Sequence, residues 1–476
     1  MKRVLISIIV AAFPCLAATS DPVTARVREY RIANEPAITQ ELIAFLGIPN
    51  LASDAVAIEK NAQAIRQMFG KRGIDAHLLR LGTAPPLVVA DLHAPGATRT
   101  IGFYAHYDGQ PVDPSQWSNP PWQPVVRDGR VYARSASDDK APIVAMLVAL
   151  DAITASRITP GVNLKFVLEG EEEAGSPHLP AYLEKYAGDL RVDAWMLCDG
   201  PVHQSRKPLL YFGARGVIDV EVTVYGPARP LHSGHYGNWA PNPIVALTHL
   251  IDSMRDTDAR ILIEHFYDDV LPLSAVERDA IGRVASFDPS IRTELALGRT
   301  EGPSLNEQIL KPALNLRGFA AGNVGEKASN SIPAEARASI DFRLVPNQSP
   351  ERVQKLVEQH IEKQGFFIVR DRPDEATRLG HPNVVQMVWG TGYPAARTAM
   401  DSAIAKRVMT LSGPDTVILP SLGGSIPMYL FTRGGTPVIG VPIVNHDNNQ
   451  HAANENLRLQ NLWDGIELFA RLFAGL

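Results

Sequence analysis

Residues 162–176, VNLKFVLEGEEEAGS, decide the reading of this chain: an apolar strand pattern runs into four carboxylates, Glu169, Glu171, Glu172 and Glu173, within five residues. Acids crowded at the end of a buried strand repel one another, and burying them is costly unless positive charge lies close by. A metal centre is the simplest source of that charge. A solvated acidic turn ahead of the next helix is the plainer alternative, and the neighbouring segments decide between the two.

Around this stretch, IDAHLLRL, PLVVADL, TIGFYAHYD and DAWMLCD read as strands, and APIVAMLVALDAITA and HLPAYLEKYAGDL as helices. Upstream, NEPAITQELIAFLGI and SDAVAIEKNAQAIRQMFGKRG show helical apolar spacing, the second opening at Ser53 or Asp54 and closing at Gly73. The alternation predicts an α/β sheet with helices on its faces and a ligand site at the carboxyl ends of its strands.

From about Gly216 the pattern changes. VIDVEVTVYG and ARASIDFRLVP alternate as half-exposed antiparallel strands do, with helix-like segments 243–256 and 350–363 between and after them. Near residue 390 it reverts, with AARTAMDSAIAKRVMTL helical, TVILP and TPVIGVP strand-like, and NLRLQNLWDGIELFARLFAG an amphipathic terminal helix. We therefore expect a catalytic domain in two parts, 19–216 and 391–476, interrupted by a smaller α+β domain at 217–390. Residues 256–312 have weaker periodicity and are assigned only some helix.

The 476 residues are 45% hydrophobic and 20% charged with net charge -5, an ordinary globular composition that suggests neither nucleic acid nor anionic lipid as partner. Lys2 and Arg3, the apolar run VLISIIVAAF and the small residues through Ala18 form the three-part pattern of a secretory signal over 1–18, implying export to a bacterial periplasm. The apolar run is shorter than the roughly 20 residues a spanning helix needs, so no membrane association is expected after cleavage. Phe13 and Pro14 disfavour a lipoprotein site at Cys15. Cys198 then remains alone, expected as a buried apolar residue, and excludes an internal disulfide.

Five motifs carry the chemistry. In FYAHYDGQPV, His106 and Asp108 lie two apart at a strand end and point to the same side, where a carboxylate can orient an imidazole for metal binding. ARSASDDKAP places Asp138 and Asp139 before a helix, as metal ligands or as mere caps. The acidic cluster is the third, Asp199 in LCDG the fourth, and the Asn-rich loop NHDNNQHAANENL, with His446 and His451, the fifth. Each falls where an apolar strand gives way to a turn, which puts all five at one edge of one sheet. Two histidines and several carboxylates without a thiolate suit a hydrolytic Zn2+ pair better than a structural zinc site. Four positive charges would be balanced by three ligating carboxylates and a bridging hydroxide.

These motifs resemble those of the dinuclear zinc peptidases that include aminoacylase, carboxypeptidase G, desuccinylases and the carnosinase-type cytosolic dipeptidase. HYDGQPV looks like HxDxxP, with Pro111 kept, SDDKAP like DDKG with Ala141 for the usual glycine, and LEGEEEAGS like EGxEExGS. LHSG, IDFRLVPN, GGSIP and HxxNE complete the likeness over about 40–476, nearest to the dipeptidase branch. The resemblance implies a zinc-exopeptidase-like mixed sheet flanked by helices, with the inserted domain serving as lid and dimerisation unit. It implies two Zn2+ per subunit, one held by His106, Asp138 and Asp199 and the other by Asp138, Glu173 and His451, with Mn2+ or Co2+ as possible substitutes.

The same resemblance makes Glu172 the general base, Asp108 the partner that orients His106, and Glu171 a neighbour. His446 is outside the ligand set, because Asn454 and Glu455 follow His451 in the family's order. His232, in LHSG, would reach across a homodimer to stabilise the oxyanion. Arg343 would grip the substrate carboxylate, with Gly423, Gly424 and Ser425 offering backbone N–H groups and Asn330 a polar contact. The implied activity is hydrolysis of dipeptides with a free C-terminal carboxylate; N-acyl amino acids are the alternative substrate, and a non-catalytic peptide binder is a further one. A serine hydrolase at Ser425 is disfavoured because GGSIP lacks the GxSxG elbow. The stretch DPSQWSNPPWQP is either an apolar subsite near His106 or a packed surface loop.

Overall fold

The computed structural model describes residues 22–476, so the signal expected at 1–18 lies outside the described residues. No helix among the described residues is long and apolar enough to cross a membrane.

An eight-stranded sheet runs in the order Ala76–Leu79, Leu87–Leu92, Asn163–Glu169, Thr100–His106, Ala194–Leu197, Val438–Gly440, Leu209–Tyr211, Val417–Leu419. The strands 163–169, 100–106, 194–197 and 438–440 are mutually parallel. The pairings of 87–92 with 163–169 and of 438–440 with 209–211 are antiparallel, which makes the sheet mixed. Parallel strands covered on both faces read as continuous apolar runs, and strand 100–106 is buried from Ile101 to His106. On one face, Phe103 meets Phe473 of the terminal helix Leu459–Gly475 edge to face at 5.0 Å. Such a pair adds about 0.5–1.5 kcal/mol beyond its buried area. Helix Lys140–Ala155 packs beside it and is buried nearly all round, as its unbroken apolar sequence requires. On the other face Phe431 lies 4.8 Å from Tyr104 and 5.0 Å from Trp195. Gly440 permits the close approach of Tyr211, whose ring would lie 1.9 Å from any added Cβ.

A second, five-stranded sheet is ordered Ala313–Ala320, Glu335–Leu344, Gly216–Tyr225, Val384–Trp389, Phe367–Val369. Strand 216–225 alternates buried and less buried residues along its length, and the helices Pro243–Met254 and Pro350–Lys363 share the apolar core on its inner face.

Two segments differ from the sequence reading, and a third takes the helix assigned to it. The first helix starts at Pro22 and runs to Leu46 with Pro36 inside it, because Val27 is buried in the core and Arg28 and Arg31 reach Glu467 on the terminal helix at 2.6 and 3.1 Å. Residues 396–397 are a short strand against Gly213–Ala214, with Thr398 N–H donating to the Phe212 carbonyl, so the helix there begins only at Ala403. The segment 256–312 forms the helices Ala275–Arg283, Asp288–Glu294 and Leu305–Gln308. Cys198 is free and buried, as expected.

Candidate metal centre

The three adjacent parallel strands deliver their last residues to one place: His106 is paired in register with Glu169, and Asp199 lies two residues beyond Leu197. After Glu169 the chain makes a single 3-10 turn, Glu172–Ala174, ended by Gly175 at φ +88°. The buried Asp108 carboxylate accepts the N–H groups of Glu172 and Glu173 at 3.1 and 3.0 Å, clamping the acidic turn to the His106 segment. Its Oδ1 also lies 3.3 Å from His106 Nδ1.

Asp138 sits between two imidazoles. Its Oδ1 is 3.0 Å from His106 Nε2 and its Oδ2 is 3.0 Å from His451 Nε2. Glu173 Oε2 lies 3.3 Å from His451 Nε2 and accepts from Gln110 Nε2 at 2.7 Å. Glu172 Oε2 is 4.0 Å from His106 Nε2. Ligand atoms of His106, Asp138 and Glu173, and those of His106, Glu172 and Asp199, each converge within 4.8 Å. Glu171 turns away and pairs with His178 at 2.8 Å, and His446 is exposed and in neither group. Asp139 holds the N-cap position of helix 140–155 but makes no side-chain capping bond, so capping does not explain the aspartate pair.

The loop carrying Asp138 is fixed by Glu455, a residue sequence reasoning named only as part of a motif. Its fully buried carboxylate accepts from Ser135 N, Ser137 N and Asp138 N, each at 2.9 Å, from Ser137 Oγ at 2.8 Å and from Arg134 Nη1 at 2.7 Å. Trp117 covers Arg134 at 5.2 Å, and Trp122 Nε1 donates to Asn50 Oδ1, so the tryptophan-rich stretch is a packed loop bracing this network and not an apolar subsite.

Five carboxylates, Asp138, Asp139, Asp199, Glu172 and Glu173, thus meet two imidazoles. Among the described residues no Lys or Arg hydrogen-bonds any of them; the nearby Lys140 donates to the Phe45 and Ile48 carbonyls instead. The acids are correspondingly strained. Burial, reinforced by the Asp138 and Glu173 charges, pushes Asp199 up to about 6, and burial holds the Glu172 carboxyl well above its usual range. At Asp138 burial acts the same way, but the bonds from His106 and His451 outweigh it and hold the carboxyl below its usual value. A net-negative cage of oxygen and imidazole donors fits divalent cations.

Further predicted residues bond to one another where the second sheet's strand Glu335–Leu344 ends. Arg343 donates from Nε to Asp341 Oδ2 and from Nη1 to Ser425 Oγ, both at 3.0 Å. Tyr393 stacks on Tyr429 at 5.0 Å, and burial raises its hydroxyl above the usual value. The Gly424 carbonyl accepts from Arg215 N–H at 3.2 Å. Sequence reasoning missed Tyr393, Arg215 and Gln110; only Gln110 lies within a quoted motif. His232 and Asn330 are brought together elsewhere, on the ribbon Leu231–His232 with Ser331–Ile332, where Ser233 N–H donates to the Asn330 carbonyl. His232 is exposed, its ring 4.6 Å from His235, and none of its recorded contacts reaches the cage of this chain.

Comparison with known proteins places this arrangement. Human Beta-Ala-His dipeptidase is 29% identical over 405 residues, covering 82% of this chain and 77% of that protein. The Saccharomyces cerevisiae Cys-Gly metallodipeptidase DUG1 is 26% identical over 92% of this chain and 94% of its own. Among solved structures, the M20 family metallo-carboxypeptidase Sso-CP2 from Sulfolobus solfataricus superposes with a TM-score of 0.76 at 28% identity, covering 92% of this chain and 99% of that one. Human carnosine dipeptidase 1 gives 0.71 at 24% identity, covering 96% and 99% respectively, and shares the fold. The profile of peptidase family M20/M25/M40 matches residues 102–474, and the chain, with its metal-binding cage at the strand ends, belongs to that family of hydrolases.

Proposed function

We propose that this protein hydrolyses the amide bond of dipeptides with a free C-terminal carboxylate, using two zinc ions. The observation that carries the reading is Asp138, shared between His106 and His451 within a cage that also holds Glu172, Glu173 and Asp199. The names of the relatives, Beta-Ala-His dipeptidase and Cys-Gly metallodipeptidase, support a dipeptide substrate.

In this reading His106, Asp138 and Asp199 would hold one ion and Asp138, Glu173 and His451 the other. A zinc pair supplies a Lewis acid and lowers the pKa of a water, and Mn2+ or Co2+ can substitute on the same donors. Glu172, whose carboxylate faces the cage and has no hydrogen bond among the described residues, accepts the proton of the attacking water. It then returns that proton to the departing amine. Asp108 keeps both the acidic turn and the His106 ring in position. Arg343 and Ser425 bind the substrate's terminal carboxylate as a charge-assisted fork.

His232, exposed and unused in its own chain, is assigned to the oxyanion across a homodimer, with Asn330 beside it contacting substrate. Export to the periplasm follows from the signal pattern at 1–18. The test is a panel of dipeptides and N-acetyl amino acids assayed before and after metal removal. Dipeptide hydrolysis abolished by chelation and restored by Zn2+ supports the reading. Turnover that survives chelation refutes it, and turnover confined to N-acetyl amino acids reassigns the substrate.

A further inference from the structure

Segment 258–313 walls a cavity of about 1480 Å³ whose lining includes Ile291, Leu295, Leu305 and Ile309, with Arg215 among them. Leu295 and Leu305 are 58% and 48% exposed, so much of this apolar wall faces solvent. Ligand pockets usually measure about 300–1,000 Å³, so the space readily admits a phenyl or indole ring.

Arg215 is the feature that packing does not explain. It is only 8% exposed, it donates from Nη2 to the Lys311 carbonyl at 2.9 Å, and its buried Nε has no partner. No carboxylate lies within ion-pair distance of it among the described residues, whereas its neighbour Arg343 is held by Asp341. Burial, with the Arg343 charge adding to it, brings the Arg215 guanidinium down to about 10. A buried guanidinium without an anion is costly, and a bound carboxylate would satisfy it.

Arg215 also joins the cavity to the proposed substrate grip. Its N–H bonds the Gly424 carbonyl, next to Ser425, and a Cβ on Gly423 would meet the cavity-wall Ile309 at 3.1 Å. Ser425 Oγ in turn accepts from Arg343 Nη1 at 3.0 Å. The apolar cavity therefore begins where the substrate carboxylate is proposed to end.

We propose that this cavity is the subsite for the substrate's C-terminal residue: it takes a large apolar side chain, while Arg215 and Arg343 together hold the carboxylate. The inference rests on the dipeptidase reading and narrows it to dipeptides ending in a bulky apolar residue.

Two measurements test it. In steady-state assays of the zinc-loaded enzyme, kcat/KM for Ala-Phe exceeds that for Ala-Gly by at least about tenfold, and Leu305→Trp, at an exposed position that leaves the core intact, lowers that ratio at least about tenfold. A wild type that does not prefer Ala-Phe, or a ratio unmoved by Leu305→Trp, overturns the proposal. In calorimetry, Arg215→Met weakens binding of free phenylalanine at least about tenfold but leaves phenylalaninamide as in wild type, and Arg215→Lys recovers part of the loss. Equal binding of phenylalanine by wild type and Arg215→Met removes Arg215 from the carboxylate site. If neither dipeptide is hydrolysed, the proposed function fails, and phenylalanine binding by wild type and Leu305→Trp still decides the subsite: weaker binding by the variant supports it and equal binding overturns it.

Discussion

Glu455→Gln keeps the shape of the side chain and removes the charge on which the Asp138 loop is built. Oε1 accepts three donors, Ser137 N, Ser137 Oγ and Asp138 N, and Oε2 accepts Ser135 N and Arg134 Nη1. If the amide oxygen takes the first position, its NH2 group faces two donors, and Arg134, itself only 2% exposed, loses its only carboxylate partner among the described residues. Each buried donor left without an acceptor costs about 1–3 kcal/mol, and breaking a buried ion pair about 3–5 kcal/mol. Because these penalties overlap, a total of about 3–5 kcal/mol is expected. The Asp138 N–H is one of the donors involved, so the damage reaches the ligand between the two histidines. Groups that support metal ligands typically change affinity about 10–100-fold, equivalent to about 1.4–2.7 kcal/mol. The assay is chelator competition for Zn2+ together with the melting temperature of the zinc-loaded protein. A loss of affinity in that range with a melting point several degrees lower is predicted; affinity within about twofold of wild type and an unchanged melting point would refute the role given to Glu455.

Glu172→Gln is predicted to retain its metal by elemental analysis while kcat falls about 10²–10⁴-fold; full turnover in this variant would mean that another group takes the proton. Arg343→Lys replaces a two-pronged donor with a point charge and is predicted to raise KM for dipeptides about tenfold or more with a smaller change in kcat, whereas an unchanged KM would place the carboxylate elsewhere. Glu467 is buried, which opposes its ionisation, but hydrogen bonds from Arg28 and Arg31 outweigh that and lower its carboxyl. Its stabilisation is therefore present above the ordinary carboxylate range and lost as pH falls through the depressed folded value. Unfolding curves should separate wild type from Glu467→Gln at pH 7 and converge as pH falls through the depressed folded value; a gap independent of pH would show that the ion pairs contribute nothing.

What could be read from the sequence was whatever repeats locally. The strands 100–106, 163–169 and 194–197 are apolar because both faces of the sheet are covered, and His106, the acidic turn and Asp199 lie at or just beyond their ends, so these members of the cage could be located from local order, whereas Asp138 and His451 come from loops away from those strands. The first helix reaches further upstream than its local apolar spacing indicates because Arg28 and Arg31 are held by Glu467, more than 400 positions away, which no window can see. Residues 395–399 have helix-forming composition, yet pairing with Gly213–Ala214 overrides it. Arg215 and Glu455 look like ordinary charged residues, and their importance depends on neighbours in distant segments: Lys311 and Gly424 for one, Arg134 and the Ser135–Asp138 loop for the other. His232 and Asn330 come from motifs, and the fold brings both to the ribbon Leu231–His232 with Ser331–Ile332, apart from the cage of this chain.

The central claim is that one carboxylate, Asp138, serves two metal ions at once. Native mass spectrometry of the zinc-exposed protein and of Asp138→Ala measures this directly. Two ions per wild-type chain, with one or both lost in the variant, is the predicted result. A wild type that takes up no metal, or a variant that still carries the full pair, would contradict it.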